Sequence, residues 1–265
     1  MKFLICNERD NVATLSLNRP EVRNAFNPEM INEIKSVFTD LSSKENLRAI
    51  VLRGEGKAFC AGGDLAWMKE MAKYTSAENL ADANNLFSMF ETILNCPIPV
   101  ISVVHGAAFG GALGLIACSD QVIATDKTQF CFSEVKLGIA PAVISAFILR
   151  KLSVSKVQPY MLSGVVFNSE QAKDIGLVHD IVEEDQINDK LETILLSYVQ
   201  SGPKAVRATK KLIADLQYAD WLATKNLSTR LIAELRAGSE GQEGLKSFFE
   251  KRDASWKQNS VKGAF

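Results

Sequence analysis

Glu134 lies in the segment 130–137, in which most of its neighbours are apolar. A carboxylate buried among apolar side chains is costly to ionise, so its pKa rises from about 4.3 toward neutrality. A group that titrates near pH 7 is suited to general acid–base catalysis. Glu134 is therefore our first candidate for a proton-transfer residue, and an ion pair with Lys136 or another basic group is the structural alternative.

Two glycine-containing turns offer a second kind of chemistry. The segments 54–63 and 106–114 each follow a predicted strand and precede a predicted helix. Glycine lets another molecule approach the main chain, and the positive end of a helix dipole favours an oxygen that gains negative charge. We expect the amides of Gly63 and Gly111 to form an oxyanion hole. Tight turns or close helix packing are the alternative role of these glycines.

Other polar residues near these turns are expected to be structural. His105 directly ends a predicted strand and is assigned to packing or a turn, and Asp120 is assigned to a cap or a turn. The segment 106–114 lacks the spacing of a dinucleotide-binding fingerprint. Neither His105 nor His179 has a cysteine or carboxylate motif beside it, so we expect no metal site.

The composition limits the class of protein. The chain has 265 residues, of which 47% are hydrophobic, so it can bury a substantial core. Its formal net charge of −1 makes neither nucleic acid nor a membrane surface an expected partner. The 5 cysteines are scattered without a CxxC pair, which indicates reduced thiols in a cytoplasmic protein. The apolar run at the N terminus is too short for a signal peptide.

One segment resembles a membrane span by hydropathy alone. Residues 97–117 are nearly free of charge and numerous enough to cross a bilayer. Several glycines would weaken a continuous helix there, and residues 100–104 have the β-branched character of a buried parallel strand. We therefore expect a strand, a glycine turn and a buried helix.

The elements that must position the candidate residues alternate between strand and helix. Apolar periodicity predicts strands at 2–6, 12–17, 49–53, 100–104 and 121–124 and helices at 28–41, 65–73 and 77–94. Beyond about residue 185 the pattern is helical, at 191–198, 203–219, 221–237 and 243–256. The sequence thus predicts an α/β body over residues 1–200 and a helical lobe over residues 201–265, in which apolar residues indicate a subunit interface.

Four blocks in order along the chain carry a resemblance to a known family. The blocks are 18–27, 57–64, 106–115 and 133–141. They resemble the enoyl-coenzyme A (enoyl-CoA) hydratase/isomerase superfamily, the crotonases, and residues 243–252 are similar to the family's last helix. The resemblance implies an α/β crotonase-like spiral of ββα turns. It also implies a C-terminal helical lobe that assembles trimers, commonly paired into hexamers.

The resemblance implies a role for each matching residue. The amides of Gly63 and Gly111 would hold the oxygen of an acyl-CoA thioester, and Glu134 would act as the acid and base. The implied thioester-binding residues are Asn24, Ala25, Phe26, Lys57, Ala58, Ala61, Asp64, Gly110, Phe248 and Lys251, the last two reaching the coenzyme of a neighbouring subunit. No separate cofactor is implied, because coenzyme A is part of the substrate.

One position departs from the usual pattern of the family. Many crotonases with hydratase activity carry a second glutamate where this chain has Gly114, so Glu134 would work alone. A lone carboxylate suits an enoyl isomerase, and it also suits a hydratase in which it deprotonates water. The alternatives are therefore a Δ3-Δ2-enoyl-CoA isomerase and, from another class, a non-catalytic protein that binds RNA.

The segments 110–120 and 133–145 look most like methylglutaconyl-CoA hydratases of leucine and isovalerate breakdown. Most other hydratases have a glycine-rich sequence after the proline that corresponds to Pro141, and here Ala-Val-Ile-Ser follows it. We therefore expect hydration of a branched 2-enoyl-CoA, with 3-methylglutaconyl-CoA as the particular substrate.

Overall fold

The computed structural model describes residues 1–261, 263 and 265 of the chain. The strands are β1 Leu4–Arg9, β2 Val12–Leu17, β3 Ala49–Gly54, β4 Val100–Val104, β5 Ala107–Phe109, β6 Gln121–Thr125, β7 Gln129–Cys131, β8 Phe167–Asn168 and β9 Asp180–Val182. The helices are α1 Pro28–Ser42, α2 Leu65–Met71, α3 Ser76–Leu94, α4 Gly111–Cys118, α5 Ala142–Lys151, α6 Val154–Ser163, α7 Ser169–Asp174, α8 Ile187–Val199, α9 Pro203–Leu216, α10 Trp221–Ala237 and α11 Ser239–Phe249.

The main sheet has the strand order β1-β2-β3-β4-β6-β9. The hairpin of β1 and β2 is antiparallel, and the other neighbouring strands are parallel. Every residue of β2 and β4 is buried, as expected for strands of a parallel sheet that is covered on both faces. A smaller sheet has the strand order β5-β7-β8, and its strand β5 lies within the second glycine turn.

Helix α1 shows how the sequence fixes the elements around the sheet. The side chain of Asn27 accepts a hydrogen bond from the amide of Met30, and Pro28 occupies the first turn, where its missing N–H costs nothing. The buried residues of α1 recur at helical spacing and are Met30, Ile31, Ile34, Val37, Phe38 and Leu41. They join the main hydrophobic core on one face of the sheet, and α8 packs on a second core at the opposite face.

Most of the predicted strands and helices are confirmed, but several boundaries are wrong. Helix α8 begins at Ile187 and not at residue 191, α9 ends at Leu216 and not at residue 219, and α11 begins at Ser239 and not at residue 243. Strand β1 runs from Leu4 to Arg9, beyond the predicted 2–6, because Asp10 and Asn11 take left-handed φ angles of 51° and 59° and close a hairpin with β2. Helix α11 ends at Phe249, short of the predicted residue 256.

The end of α11 has a local cause. Lys251 takes a left-handed φ of 54°, which turns the chain back toward the helix. The carboxylate of Glu243 then receives hydrogen bonds from the guanidinium of Arg252 and the amide of Ser255. These contacts hold the following segment against α11 in an irregular conformation.

The apolar segment 97–117 folds as expected into β4, the glycine turn with β5, and most of α4. Within the ranges that the structure describes, no helix combines the length and the apolar character that crossing a bilayer requires.

Helices α9, α10 and α11 contact one another at the C-terminal end of the chain. The guanidinium of Arg207 on α9 donates to the carbonyls of Lys44 and Leu47, and Lys210 forms an ion pair with Asp120, so α9 is fastened to the α/β body. The division at residue 200 stays a prediction, as does the trimer. Residues 262 and 264 of the predicted lobe lie outside the described residues.

Candidate active site

A cavity of about 440 Å³ brings several of the predicted residues together. Its wall is built by α2, α3, the first residues of α4 and α5, and the 3-10 turn Ser133–Leu137. The predicted site residues that line it are Phe26, Ala61, Gly63, Gly110, Gly111 and Glu134.

Backbone hydrogen bonds fix the two glycine turns against each other. The amide of Cys60 donates to the carbonyl of Ala107, and the amide of Phe109 donates to the carbonyl of Cys60, both at 3.1 Å. Gly62 has a left-handed φ of 94°, and a Cβ there would lie 2.9 Å from the carbonyl oxygen of Phe109. This close approach requires glycine at position 62, and it brings together the two turns, both of which line the cavity.

The amides of Gly63 and Gly111 are available as donors. Gly111 is the first residue of α4, so its N–H has no partner within the helix and lies at the positive end of the helix dipole. Across the residues that the structure describes, neither amide donates a hydrogen bond to a protein group. A Cβ at Gly111 would also lie 2.9 Å from Cε2 of Phe26, which explains why a side chain is excluded there.

Glu134 lies in the 3-10 turn with its carboxylate against the second glycine turn. A Cβ at Gly110 would lie 3.3 Å from Oε1 of Glu134, and Oε2 is buried without a hydrogen-bond partner in the described structure. Burial raises the pKa of Glu134, and a backbone hydrogen bond of the same residue opposes that shift. Glu134 is in no ion pair among residues 1–261, so the alternative of a salt bridge with Lys136 is wrong.

The side chain of Asn24 holds the first glycine turn in place through hydrogen bonds. It is fully buried, has a left-handed φ of 55°, and donates through Nδ2 to the carbonyls of Glu55 and Ala58 at 2.8 Å each. Its Oδ1 accepts a hydrogen bond from the amide of Arg19. The side-chain NH2 and oxygen of Asn24 are therefore both hydrogen-bonded, and they connect the first glycine turn to Arg19.

The ion pair between Arg19 and Asp64 fastens the segment 18–27 to the start of α2, directly after the first glycine turn. Nη2 of Arg19 lies 2.6 Å from Oδ2 of Asp64, and the two side chains are only 11% and 10% exposed. Arg19 also donates to the carbonyl of Ala25, while Oδ1 of Asp64 accepts from the amide of Ala66 and caps α2. Burial alone would raise the pKa of Asp64, but the contacts with Arg19 and the capped amides outweigh it and lower that pKa.

Several residues predicted to contact the thioester do not line the cavity. Asn24, Ala25, Ala58 and Asp64 are buried in the supporting loops, and the side chain of Lys57 is exposed. Phe248 and Lys251 line a separate groove of about 350 Å³ beside α11. Their predicted contact with the coenzyme of a neighbouring subunit stays a prediction.

The wall formed by α3 was missed by the sequence reasoning. Asn79, Asp82, Ala83 and Leu86 line the cavity and lie on one face of α3, at spacings of three and four residues. Helix α2 and the residues that follow Pro141 also line the cavity. Helical periodicity could have identified the α3 face, but α3 also packs against α1, α4 and α5, so periodicity does not tell which face meets the cavity.

The fold and the cavity define the class: this is a crotonase-fold protein with two backbone amide donors and a half-buried carboxylate at one pocket. The chain belongs to the enoyl-CoA hydratase/isomerase family, whose family model matches residues 7–259.

Three relatives show the range of this similarity. An enoyl-CoA hydratase from Shewanella pealeana has a crystal structure with a TM-score of 0.92 and 38% identity, covering 96% of each chain. An enoyl-CoA hydratase of Alternaria alternata is 31% identical over 91% of this chain and 80% of its own length. A trans-2-decenoyl-acyl-carrier-protein isomerase of Streptococcus mutans is 27% identical over 95% of this chain and 96% of its own length.

Proposed function

We propose that this protein is an enoyl-CoA hydratase that acts on a branched 2-enoyl-CoA through a thioester enolate. One observation carries the proposal: the backbone amides of Gly63 and Gly111 and the carboxylate of Glu134 border one cavity, and neither amide donates to a protein group among the described residues. Unused amides at a helix terminus suit an oxygen that gains negative charge. A half-buried carboxylate without a cationic partner suits proton transfer near neutral pH.

In the proposed reaction Glu134 takes a proton from water while the water oxygen bonds to C3 of the substrate. The electron pair of the double bond moves onto the thioester oxygen, where the amides of Gly63 and Gly111 hold the enolate. Glu134 then returns its proton to C2, so that one water molecule is added and the carboxylate is regenerated. Each amide could contribute about 3 kcal/mol of transition-state stabilisation.

A Δ3-Δ2-enoyl-CoA isomerase is the second candidate, and the environment of Gly114 favours it. A Cβ at Gly114 would lie 2.8 Å from Cγ2 of Ile144, so the second glutamate of many hydratases is sterically excluded. An isomerase needs a single carboxylate that removes a proton from C2 and returns it at C4. The similarity to the Streptococcus mutans isomerase agrees with this candidate.

The finer parts of the proposal come from the sequence resemblance. They are a cytoplasmic protein of leucine and isovalerate breakdown, assembled as a homotrimer or a dimer of trimers, with 3-methylglutaconyl-CoA as the predicted substrate. Exposed aromatic side chains support the assembly, because Trp221, Phe248 and Phe249 are 85%, 76% and 76% exposed in a single chain.

Product analysis with matched variants tests the proposed function. The purified protein is incubated with 3-methylcrotonyl-CoA, crotonyl-CoA and a 3-enoyl-CoA, and the products are identified by mass spectrometry. The proposal expects 3-hydroxyacyl-CoA from the 2-enoyl substrates and its loss in Glu134→Gln, with full activity in the exposed control Glu91→Gln. Formation of 2-enoyl-CoA from the 3-enoyl substrate without hydration would support the isomerase instead.

A further inference from the structure

Asp82 is a carboxylate in the cavity that the proposed mechanism leaves unused. It belongs to the face of α3 that lines the cavity, between Asn79 and Leu86. Trp67 and Met71 of α2 line the same cavity, so the carboxylate lies in a largely apolar environment.

Trp67 lies in the same cavity wall as Asp82 and next to Gly63 of the predicted oxyanion hole. A Cβ at Gly63 would lie 3.9 Å from Cε3 of Trp67, at one edge of the indole ring. Burial raises the pKa of Asp82, and the buried Nε1–H of Trp67 opposes that shift, although this N–H forms no hydrogen bond of full geometry with any described residue. Gly63, Trp67 and Asp82 thus line one cavity, and the indole lies next to Gly63. A substrate whose thioester is held at Gly63 places its acyl chain in a cavity whose wall includes Asp82.

The charges of the cavity wall have one sign. The ionisable side chains that line it are Asp82 and Glu134, and no lysine, arginine or histidine occurs among the described lining residues. Anionic groups in protein sites are normally held by cationic side chains or by several N–H donors. Around Asp82 the described lining residues offer two side-chain N–H donors, Nε1 of Trp67 and Nδ2 of Asn79, and Nδ2 of Asn79 already donates to the carbonyls of Tyr74 and Thr75. The wall near Asp82 therefore has no cationic group among the described residues and only one N–H donor without a partner.

We propose that Asp82 determines specificity by excluding acyl groups with a negative charge at their far end. The substrate class is then a short, uncharged, branched 2-enoyl thioester. This inference rests on the proposed function and narrows it. It also departs from the sequence prediction of 3-methylglutaconyl-CoA, whose acyl group ends in a carboxylate.

Both protonation states of Asp82 disfavour an anionic acyl group. Ionised Asp82 repels the carboxylate directly, in a site where low solvent access strengthens electrostatic interactions. Burial raises the pKa of Asp82, and the Trp67 N–H opposes that shift. Protonated Asp82 offers the anion a single neutral donor, while the anion has left water. An uncharged branched end packs against Met71 and Leu86 without that loss.

Binding of saturated analogues tests the inference without turnover. Isovaleryl-CoA and 3-methylglutaryl-CoA share the coenzyme and the branch and differ in the terminal carboxylate. Titration calorimetry should show at least about tenfold weaker binding of 3-methylglutaryl-CoA. Asp82→Asn should reduce this ratio by about fivefold or more through tighter binding of 3-methylglutaryl-CoA. Isovaleryl-CoA binding should be unchanged, and Glu91→Gln on the exposed side of α3 should alter neither affinity.

Equal or tighter binding of 3-methylglutaryl-CoA to the unaltered protein would overturn the inference, as would binding of neither analogue. Weaker 3-methylglutaryl-CoA binding in Asp82→Asn would also overturn it, because Asp82 would then recognise the acid through a shared proton. Hydration assays separate this outcome from failure of the proposed function. If the protein hydrates 3-methylglutaconyl-CoA in preference to 3-methylcrotonyl-CoA, the inference about Asp82 is wrong but the proposed hydratase function stands. If the protein binds isovaleryl-CoA selectively but hydrates neither substrate, the proposed hydratase function is wrong.

Discussion

A Cβ at Gly114 would lie 2.6 Å from Cζ of Phe90, so the aromatic ring of α3 fills the space beside this turn of α4. Phe90 is fully buried and contacts the ring of Phe147, with the two ring centroids 5.4 Å apart. The position that holds a second glutamate in many hydratases is therefore part of the hydrophobic core here. The packing of α3, α4 and α5 leaves no space for that glutamate, because Ile144 of α5 also lies against Gly114.

The packing around Gly114 gives the first prediction. Gly114→Ala should lower the free energy of unfolding by about 1 to 3 kcal/mol, because overpacking forces Phe90 to move. Denaturant titration measures the change. In the background of Phe90→Leu the same substitution should cost clearly less, since the ring has been removed. An equal cost in both backgrounds would show that Phe90 does not limit the space at Gly114.

Glu134→Gln should raise the stability of the fold while it removes activity. The pKa of Glu134 is raised in the folded protein. Ionisation is therefore easier in the unfolded chain, and stability falls as the pH rises through the unfolded and then the folded pKa. Gln cannot ionise, so at pH 7 the variant should have a higher Tm than the unaltered protein. The gain should vanish below the unfolded pKa of about 4.3. Lower Tm at pH 7 would show that the carboxylate is well stabilised in its pocket.

The raised pKa of Glu134 also predicts the pH dependence of the reaction. Hydration requires ionised Glu134, so kcat/KM should increase with pH and reach half its maximum above the usual glutamate pKa of about 4.3. Steady-state assays across the acidic range measure the profile. Asp82 is also a lining carboxylate with a raised pKa, so the profile should be recorded for Asp82→Asn as well. The midpoint should persist in that variant, and its disappearance would assign the titration to Asp82.

The ion pair of Arg19 and Asp64 should hold the Gly63 turn in its active geometry. Asp64→Asn keeps an N-cap acceptor for α2 but leaves Arg19 buried without its partner. It should cost about 3 kcal/mol of stability and reduce kcat more than it raises KM. Adding Arg19→Met should recover part of the stability without restoring kcat.

The exposed pair of Lys73 and Glu70 is the control for the buried ion pair. Its side chains are 65% and 58% exposed, so Glu70→Gln should change the stability by less than about 1 kcal/mol. Unchanged kcat in Asp64→Asn would show that the buried pair has no role in positioning the turn.

The sequence was sufficient where a local pattern decides the structure. The β-branched segment of β4 and the two glycine turns are local features, and each was predicted. The environment of Glu134 could also be predicted, because its apolar neighbours are adjacent in the chain.

The roles of Arg19, Asp82 and Phe90 depend on long-range packing. Arg19 meets Asp64 across 45 positions of the chain, and Phe90 meets Gly114 through the contact of α3 with α4. The sequence alone gives no measure of which helix face meets the cavity, so the charge of its acyl end was beyond prediction. The substrate class that we propose therefore differs from the one the motifs suggested.

The most direct measurement is a crystal structure of the protein with acetoacetyl-CoA bound in the cavity. Our account predicts that the thioester oxygen lies about 3 Å from the amide nitrogens of both Gly63 and Gly111, with the Glu134 carboxylate beside C2. A thioester oxygen held elsewhere, or a Glu134 carboxylate turned away from the acyl chain, would contradict the account.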